Sequence, residues 1–467
     1  MSRVRTALGA GLAVVGLALA GGYFYAAATL KGGAAGVGTA VGAQIGCADV
    51  FLMHRAVGEA ERNDIHALAP AAGIIRLSAD AKRQSVTATI PGILSRTSTY
   101  RPGVGCTLSN GGPPVAISPP PPAVPAQDAP WRFNEASPAP SPTLAAAVDR
   151  VFAETNAGGR ADTRAVLVIQ HGKMLAERYA PGFSAATPFL GWSATKSLTS
   201  ALIGILVADG KLDLDAPAPV PEWKGPGDPR GAITLRQLLT MSSGLKFIED
   251  YVPGSDSSQM LFHERDMGAY AARQPLRHPP GKVWSYSSGT ANIVSRIAQQ
   301  TVGGTTAAYD RFAHDRLFGP LGMDSALVEP DEAGVPVGSS YGYATARDWA
   351  RFGLLYLNRG VAGDGAAGGR RILPESWIDF TRAPTPAAPT QIYGAMFWLN
   401  QGPVSGPGAR EYPHCPADMY LADGHNGQFV AVIPSLDTVI VRLGWTPEGQ
   451  EFKLDRYFSG IVAALAG

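Results

Sequence analysis

The sequence predicts an α+β protein whose antiparallel sheet is built from both ends of its main domain, flanked by helices, with a helical insert between. Three observations carry this. The stretch "RAVLVIQHGKMLAERYAPG" reads as two strands joined at His171–Gly172, and "GQFVAVIPSLDTVIVRLG" reads as a second hairpin with alternating apolar residues. Between them, residues 211–390 are helix-and-loop in character, and "EFKLDRYFSGIVAALAG" closes the chain as an amphipathic helix. A groove is expected where the sheet meets the helical part.

At 467 residues the chain suits one large domain with an appendage. Only 16% of residues are charged, the net charge is +1 and no basic stripe appears, which argues against a nucleic-acid partner. Residues 1–31 contain an uncharged run from Ala7 to Leu30, long enough to cross a bilayer. Arg3 and Arg5 precede it and only Lys31 follows closely, which favours an N-terminus inside and the remaining chain outside the cytoplasm. An uncleaved anchor, with Tyr23, Phe24 and Tyr25 at its outer end, competes with a secretory signal cleaved near Ala26–Ala28. Both readings place the rest of the chain in a bacterial-type cell envelope or beyond.

Residues 32–110 follow. Their Gly/Ala-rich start, 32–46, reads as a flexible tether. Residues 47–110 read as a small α+β unit, with a helix in "HRAVGEAERNDIHAL" and strands in "SVTATI" and "TSTYRPGVGCTL". Cys47 and Cys106 bracket this unit and form a candidate disulfide in an oxidising compartment, leaving Cys415 over. Residues 111–130 form a proline-rich linker, and the large domain takes up 131–467. It opens with a predicted helix at 143–155. No Cys/His spacing resembles a metal site, and the eight histidines are scattered.

The chemistry centres on "PFLGWSATKSLTSALIGILVADG". Ser193 and Lys196 share a face at a helix start, so the amine can take the hydroxyl proton if burial lowers its pKa. Leu198, Leu202, Ile205 and Leu206 form the buried face, and Asp209–Gly210 the stop. The spacing alone is weak evidence, because Ser243 and Lys246 repeat it in "LLTMSSGLKF", where Gly244 interrupts the helix. A second element, "HPPGKVWSYSSGTANIVSRIAQQ", is a loop that can present Tyr286 and Ser288 on one side, Tyr286 acting as phenolate or proton relay. The Tyr356–Asn358 pair lies at a helix end, where i and i+2 face apart, and is set aside. A third element, "LADGHNGQFVAVIP", puts His425 before a strand. Gly427 there permits close backbone approach, and the Gln428 N–H can pair with that of Ser193 as oxyanion donors.

In order, S-x-x-K, Y-S-x and H-x-G before the last strand pair resemble the serine β-lactamase-like hydrolases. That group includes class C β-lactamases, D-Ala carboxypeptidases, family VIII esterases and 6-aminohexanoate-dimer hydrolase. The stretches "LRQLLTMSSGL", "LFGPLGM", "YGYATARDWARFGLLYLNRG" and "ILPESW" extend the resemblance over about 140–465. It implies a β-lactamase/transpeptidase-like fold, with Ser193 as acylated nucleophile and Lys196 as its base. Tyr286 becomes the partner base and the His425 segment the edge-strand motif. Two positions depart from the family pattern: Ser288 stands where lactamases and peptidases usually carry Asn, and His425 where they carry Lys. A histidine is charged only part of the time near neutral pH. Both changes favour a neutral ester or amide, in the esterase and aminohexanoate-dimer hydrolase branch, with no metal or organic cofactor. A β-lactamase or D-Ala peptidase acting on a short peptide, and a catalytically silent envelope binding module, are the competing expectations.

Overall fold

The computed structural model describes residues 33–112, 117, 139–153, 155–156, 159–160, 162–363, 369–447 and 452–465. The predicted membrane segment, residues 1–31, and most of the 111–130 linker lie outside them.

The N-terminal unit departs from expectation at its start. Residues 32–46 are not a tether: Ala34–Phe51 forms an 18-residue helix, α1, buried almost continuously from Thr39 to Asp49. It lies on a four-stranded antiparallel sheet of β1 (Arg76–Asp80), β2 (Ser85–Ile90), β3 (Leu94–Arg101) and β4 (Gly105–Leu108), in that order. Glycine costs a helix interior about 1 kcal/mol relative to alanine. Burying Val41, Ile45 and Cys47 against Val86, Ala88 and Cys106 offsets that cost. Cys47 and Cys106 are disulfide-bonded with Cα atoms 6.1 Å apart, joining α1 to β4. Cys415 is free and buried. Among the described residues α1 is long and apolar enough to cross a membrane, but here it is the core helix of this unit.

In the main domain, α2 (Pro142–Phe152) is capped by Ser141, whose hydroxyl accepts from the Leu144 N–H. Strands β5 (Thr163–Gln170) and β6 (Lys173–Tyr179) follow, joined by His171 and Gly172 at φ 50° and 67°. Two consecutive positive φ angles make the tight mirror-image turn that matches strand twist. Next come β7 (Pro188–Leu190), α3 (Thr195–Ala208), α4 (Asp256–His263), α5 (Ser288–Thr301), β8 (Leu327–Val328), β9 (Gly342–Thr345) and α6 (Ala346–Leu357). The chain then returns to the sheet with β10 (Trp398–Leu399), β11 (Tyr420–Gly424), β12 (Gln428–Ile433) and β13 (Thr438–Gly444), and ends in α7 (Leu454–Leu465).

The main sheet has the order β10-β11-β12-β13-β5-β6, with Val439 of β13 opposite Ile169 of β5, so the two chain ends do meet in one sheet. Helices α2 and α7 cover one face, packing Val148, Val151, Phe458 and Ile461 onto Val166, Val168 and Ile440. Helices α3 and α6 cover the other, against Leu167, Ile169, Val439 and Val441. Helix α3 is buried on every side from Thr195 to Leu206, not on one face only, because sheet and helical insert enclose it. A short second sheet, β8-β9-β7, lines the chain leading into it.

The N-terminal unit is docked by buried polar contacts. Asp64 receives Arg164 Nη2 at 2.5 Å and Nη1 at 2.9 Å, and Arg55 Nη1 at 2.5 Å. The Trp445 indole N–H donates to the Asp64 carbonyl at 2.9 Å. Burial alone would raise the Asp64 carboxyl, but Arg164 and Arg55 hold it below its ordinary range. Across the same interface Glu329 accepts the Cys106 N–H at 2.6 Å and Gln44 Nε2 at 2.7 Å. Here desolvation outweighs the donors and the carboxyl is pushed up to about 8. Asp331, equally buried, is also pushed up to about 8.

Two outcomes follow. Thiol counting under denaturing, non-reducing conditions should find one free thiol, and three would refute the Cys47–Cys106 bond. A carboxyl whose folded pKa lies above its unfolded value stabilises fully below the unfolded pKa and loses that contribution as pH rises through the folded one. Melting temperature should therefore fall as pH is raised from 6 toward 8, and Glu329→Gln should remove part of that fall, leaving the share of Asp331 and of the other buried carboxyls raised in the same direction, Asp49, Asp310 and Asp423. A variant with an unaltered pH slope would exclude Glu329 as a source.

Candidate active site

Strand β7 delivers the chain into one 3₁₀ turn, Trp192–Ala194, which runs directly into α3. Within this turn Ser193 is half-exposed while Trp192 and Ala194 are buried. Trp192 holds φ at 43°, a conformation bulky residues adopt only when their surroundings impose it. The surroundings are tight: a Cβ on Gly191 would stand 2.3 Å from the Trp349 ring, and one on Gly424 2.1 Å from the Gly191 carbonyl oxygen. The end of β11 thus runs past the serine turn at backbone contact distance.

One helical turn on, Lys196 points inward and is almost wholly buried. Its Nζ donates to Ser193 Oγ at 2.8 Å, Ser288 Oγ at 3.0 Å and the Ser339 carbonyl at 3.0 Å. Desolvation lowers its pKa to about 8, against the opposing pull of Glu249 and Asp423. An amine near neutrality, in contact with a half-exposed hydroxyl, can accept that hydroxyl's proton.

Tyr286 and Ser288 come to the same point from the start of α5, where Ser287 caps the helix by accepting the Thr290 N–H at 3.0 Å. The Lys196 nitrogen lies 4.8 Å from the centroid of the Tyr286 ring. Burial first, then neighbours Tyr393 and Glu249, raises the Tyr286 pKa well above its usual value, which favours the protonated hydroxyl over the phenolate. Asn292, one turn further along α5, accepts the Ser339 N–H at 3.1 Å and so holds the backbone leading into the Ser339 carbonyl that takes the third lysine hydrogen.

His425 lies in the three-residue turn between β11 and β12, beside the serine turn. Its ring packs edge-on to Trp192 at 5.6 Å and lies 4.7 Å from Tyr251. Burial lowers its pKa to about 4, so it is neutral at pH 7 and does not supply the intermittent cation expected. A Cβ on Gly427 would meet Arg442 Nη1 at 2.2 Å, and the residue also borders a cleft shared with Asp423, His425 and Thr446. Gln428 begins β12 opposite Gly424, and its side-chain amide ties the turn together through the carbonyls of His425, Asn426 and Gly444. Strand β11 approaches the serine turn most closely, through Gly424.

The second S-x-x-K is not assembled. Ser243 is buried and accepts the Leu245 N–H at 3.3 Å, Gly244 has φ 78°, and Lys246 is exposed. Tyr356 is buried against Phe352 and Phe397, away from the cleft. Sequence reasoning missed Glu249, Tyr251, Ser339 and Asp423. Glu249 accepts the Ser288 N–H at 2.7 Å and the Ser288 hydroxyl at 2.5 Å, and Tyr251 covers His425. Both lie just past the idle Ser243–Lys246 pair, in "LKFIEDY", with no local periodicity to mark them. Among the described residues no group of three or more His, Cys, Asp or Glu side chains is arranged to hold a metal ion.

Known proteins share this arrangement. The Beta-lactamase family model matches residues 148–464. The 6-aminohexanoate-dimer hydrolase of Paenarthrobacter ureafaciens is 27% identical over 315 residues, covering 61% of this chain and 73% of its own. Penicillin-binding protein 4 of Amycolatopsis lactamdurans is 27% identical over 316 residues, covering 60% and 77%. The crystal structure of a family VIII carboxylesterase superposes with a TM-score of 0.52 at 16% identity, covering 70% of this chain and 99% of its own, a likeness of fold. The family match starts after the N-terminal unit and takes in every residue of the Ser193 site, so the chain belongs to the beta-lactamase family and is a serine hydrolase of that fold.

Proposed function

We propose that this chain is an exported, membrane-anchored hydrolase that cleaves an ester or amide bond through a Ser193 acyl-enzyme. The observation that carries the reading is the buried Lys196 amine, its pKa lowered to about 8, 2.8 Å from the half-exposed Ser193 hydroxyl. In the first step Ser193 Oγ bonds to the substrate carbonyl carbon while its proton passes to Lys196. The oxyanion is met by the Ser193 N–H at the start of the helix and by backbone at the end of β11. The proton then moves through the protonated Tyr286 to the leaving oxygen or nitrogen, and the bond to the leaving group breaks. Water attacks the acyl-enzyme, Lys196 takes its proton, and the acid departs as Ser193 is restored. No step calls for a metal or an organic cofactor.

The site chemistry favours a neutral substrate over a penicillin or a D-Ala peptide. Glu249 and Asp423 are near enough to oppose the lowering of the Lys196 pKa, His425 is neutral, and Ser288 is committed to Glu249 and Lys196. A substrate carboxylate would meet acids there in place of a fixed cation. Export rests on the apolar run after Arg3 and Arg5, and the Cys47–Cys106 disulfide suits an oxidising compartment.

Incubation with an activated short-chain ester should leave an acyl mass on the Ser193 peptide, and labelling that persists in Ser193→Ala would sink the assignment. Because the free amine is the base, kcat/KM for a neutral ester should climb with pH to a plateau above about 8. Lys196→Ala should cost roughly 10²–10⁴ in rate, as expected for removal of a positioned base, and abolish that climb. A wild-type profile flat from pH 6 to 9 would remove Lys196 from the role.

A further inference from the structure

A cavity of about 420 Å³ lies between the N-terminal unit and the catalytic domain. One wall comes from outside the family match: Val41 of α1, Ile75 just before β1 and Ile93 in the turn between β2 and β3. The facing wall includes Trp192, Tyr251 and His425. Trp192 is the residue before the nucleophile, and the other two rings pack edge-on against it. Ser193 itself is outside the lining; the cavity starts at the neighbouring Trp192 and extends under the N-terminal unit.

Its chemistry is uniform. No Asp, Glu, Lys or Arg lines it, and the one imidazole is held neutral. At its rim Ile74, Ile93 and Val252 are about half exposed, at 54%, 53% and 52%. A peptide or sugar placed here would leave its polar groups without partners, at a cost for each one. A hydrocarbon chain would meet no such cost, and each methylene it buries adds up to about fourfold in affinity. The volume lies within the range of small-molecule sites, roughly 300–1,000 Å³. With a methylene taken as about the size of one water, roughly 30 Å³, 420 Å³ has room for about fourteen carbons, more than a decanoyl chain needs.

We propose that this cavity is an acyl-chain site, so that the substrate class is an ester or amide of a long-chain aliphatic acid, its carbonyl at Ser193 and its chain beneath the N-terminal unit. The proposal rests on the reading of Ser193 as nucleophile. It gives the N-terminal unit a function, as the outer wall of a specificity pocket.

The test uses the full chain and p-nitrophenyl esters from acetate to decanoate, below their aggregation concentrations. The ratio of decanoate to acetate kcat/KM should exceed ten in the wild type. Ala72, which also lines the cavity and is only partly buried, tolerates a larger side chain without disturbing the core. Ala72→Trp should bring that ratio toward one. A wild-type ratio near one, as when another segment or a partner fills the cavity, would overturn the proposal, and so would an unchanged ratio in Ala72→Trp. If no ester of any length is turned over, the nucleophile reading fails separately. Calorimetric titration of Ser193→Ala with decanoate then decides the cavity: saturable binding that Ala72→Trp weakens at least tenfold supports it, and no binding overturns it.

Discussion

Everything at this site depends on how little room surrounds the serine turn. The backbone of β11 runs against the carbonyl of Gly191, and the ring of Trp349 closes the other side, at distances that exclude even a Cβ. Between these walls the turn has one available path, and that path includes the left-handed Trp192. Such strain costs of order 1–3 kcal/mol and persists only where packing over-determines it. The return is directional: Ser193 faces solvent, Trp192 faces the interface with the N-terminal unit, and Lys196, one turn later, faces the interior. A looser turn would let the nucleophile and its base drift apart, and an ångström is enough to lose most of the benefit of proximity.

The buried lysine is the second constraint, and it accounts for the polar groups around it. A charged amine this deep requires full hydrogen-bonding, which Ser193, Ser288 and the Ser339 carbonyl supply. Glu249 holds Ser288 through both its N–H and its hydroxyl, and Asn292 holds the N–H of Ser339. The shortened side chain at position 288 is thus part of the lysine's support and not simply a lost substrate contact. Desolvation drives Lys196 toward neutrality while Glu249 and Asp423 restrain it, and the balance falls near 8. His425 has no comparable acid restraint and is pushed to about 4 by burial alone. Two neighbouring bases diverge because of what faces them.

Much of this was legible in the chain. The His171–Gly172 turn and the alternating apolar residues of "GQFVAVIPSLDTVIVRLG" announced the hairpins, and the order Ser193, Lys196, Tyr286, His425 announced the cleft, because periodicity and turn chemistry are local properties. What failed was non-local. Residues 32–46 have the composition of a tether, and only the sheet they cover makes them a helix. Glu249 and Tyr251 reach the site through a loop with no pattern of its own. Gly427 and Gln428 were singled out for their place before a strand, but Gly424, one turn earlier, is the residue that touches the serine turn. A charge on His425 could not be judged without knowing that Trp192 and Tyr251 enclose it.

The segment from Glu329 to Ser339 joins the two halves of the molecule. At one end Glu329 receives Cys106 and Gln44 of the N-terminal unit, and at the other the Ser339 carbonyl receives Lys196. Burial moves both titrating groups to about 8, from opposite directions. Below that pH Glu329 keeps its proton in the fold, but the docked interface has its full stability only below the carboxyl's ordinary pKa and loses it progressively as pH rises toward 8, while Lys196 is still mostly charged. Above it Lys196 is free, but Glu329 ionises in a place with no cation hydrogen-bonded to it. Catalytic competence and docking of the pocket's outer wall therefore draw on the same pH region with opposite sign.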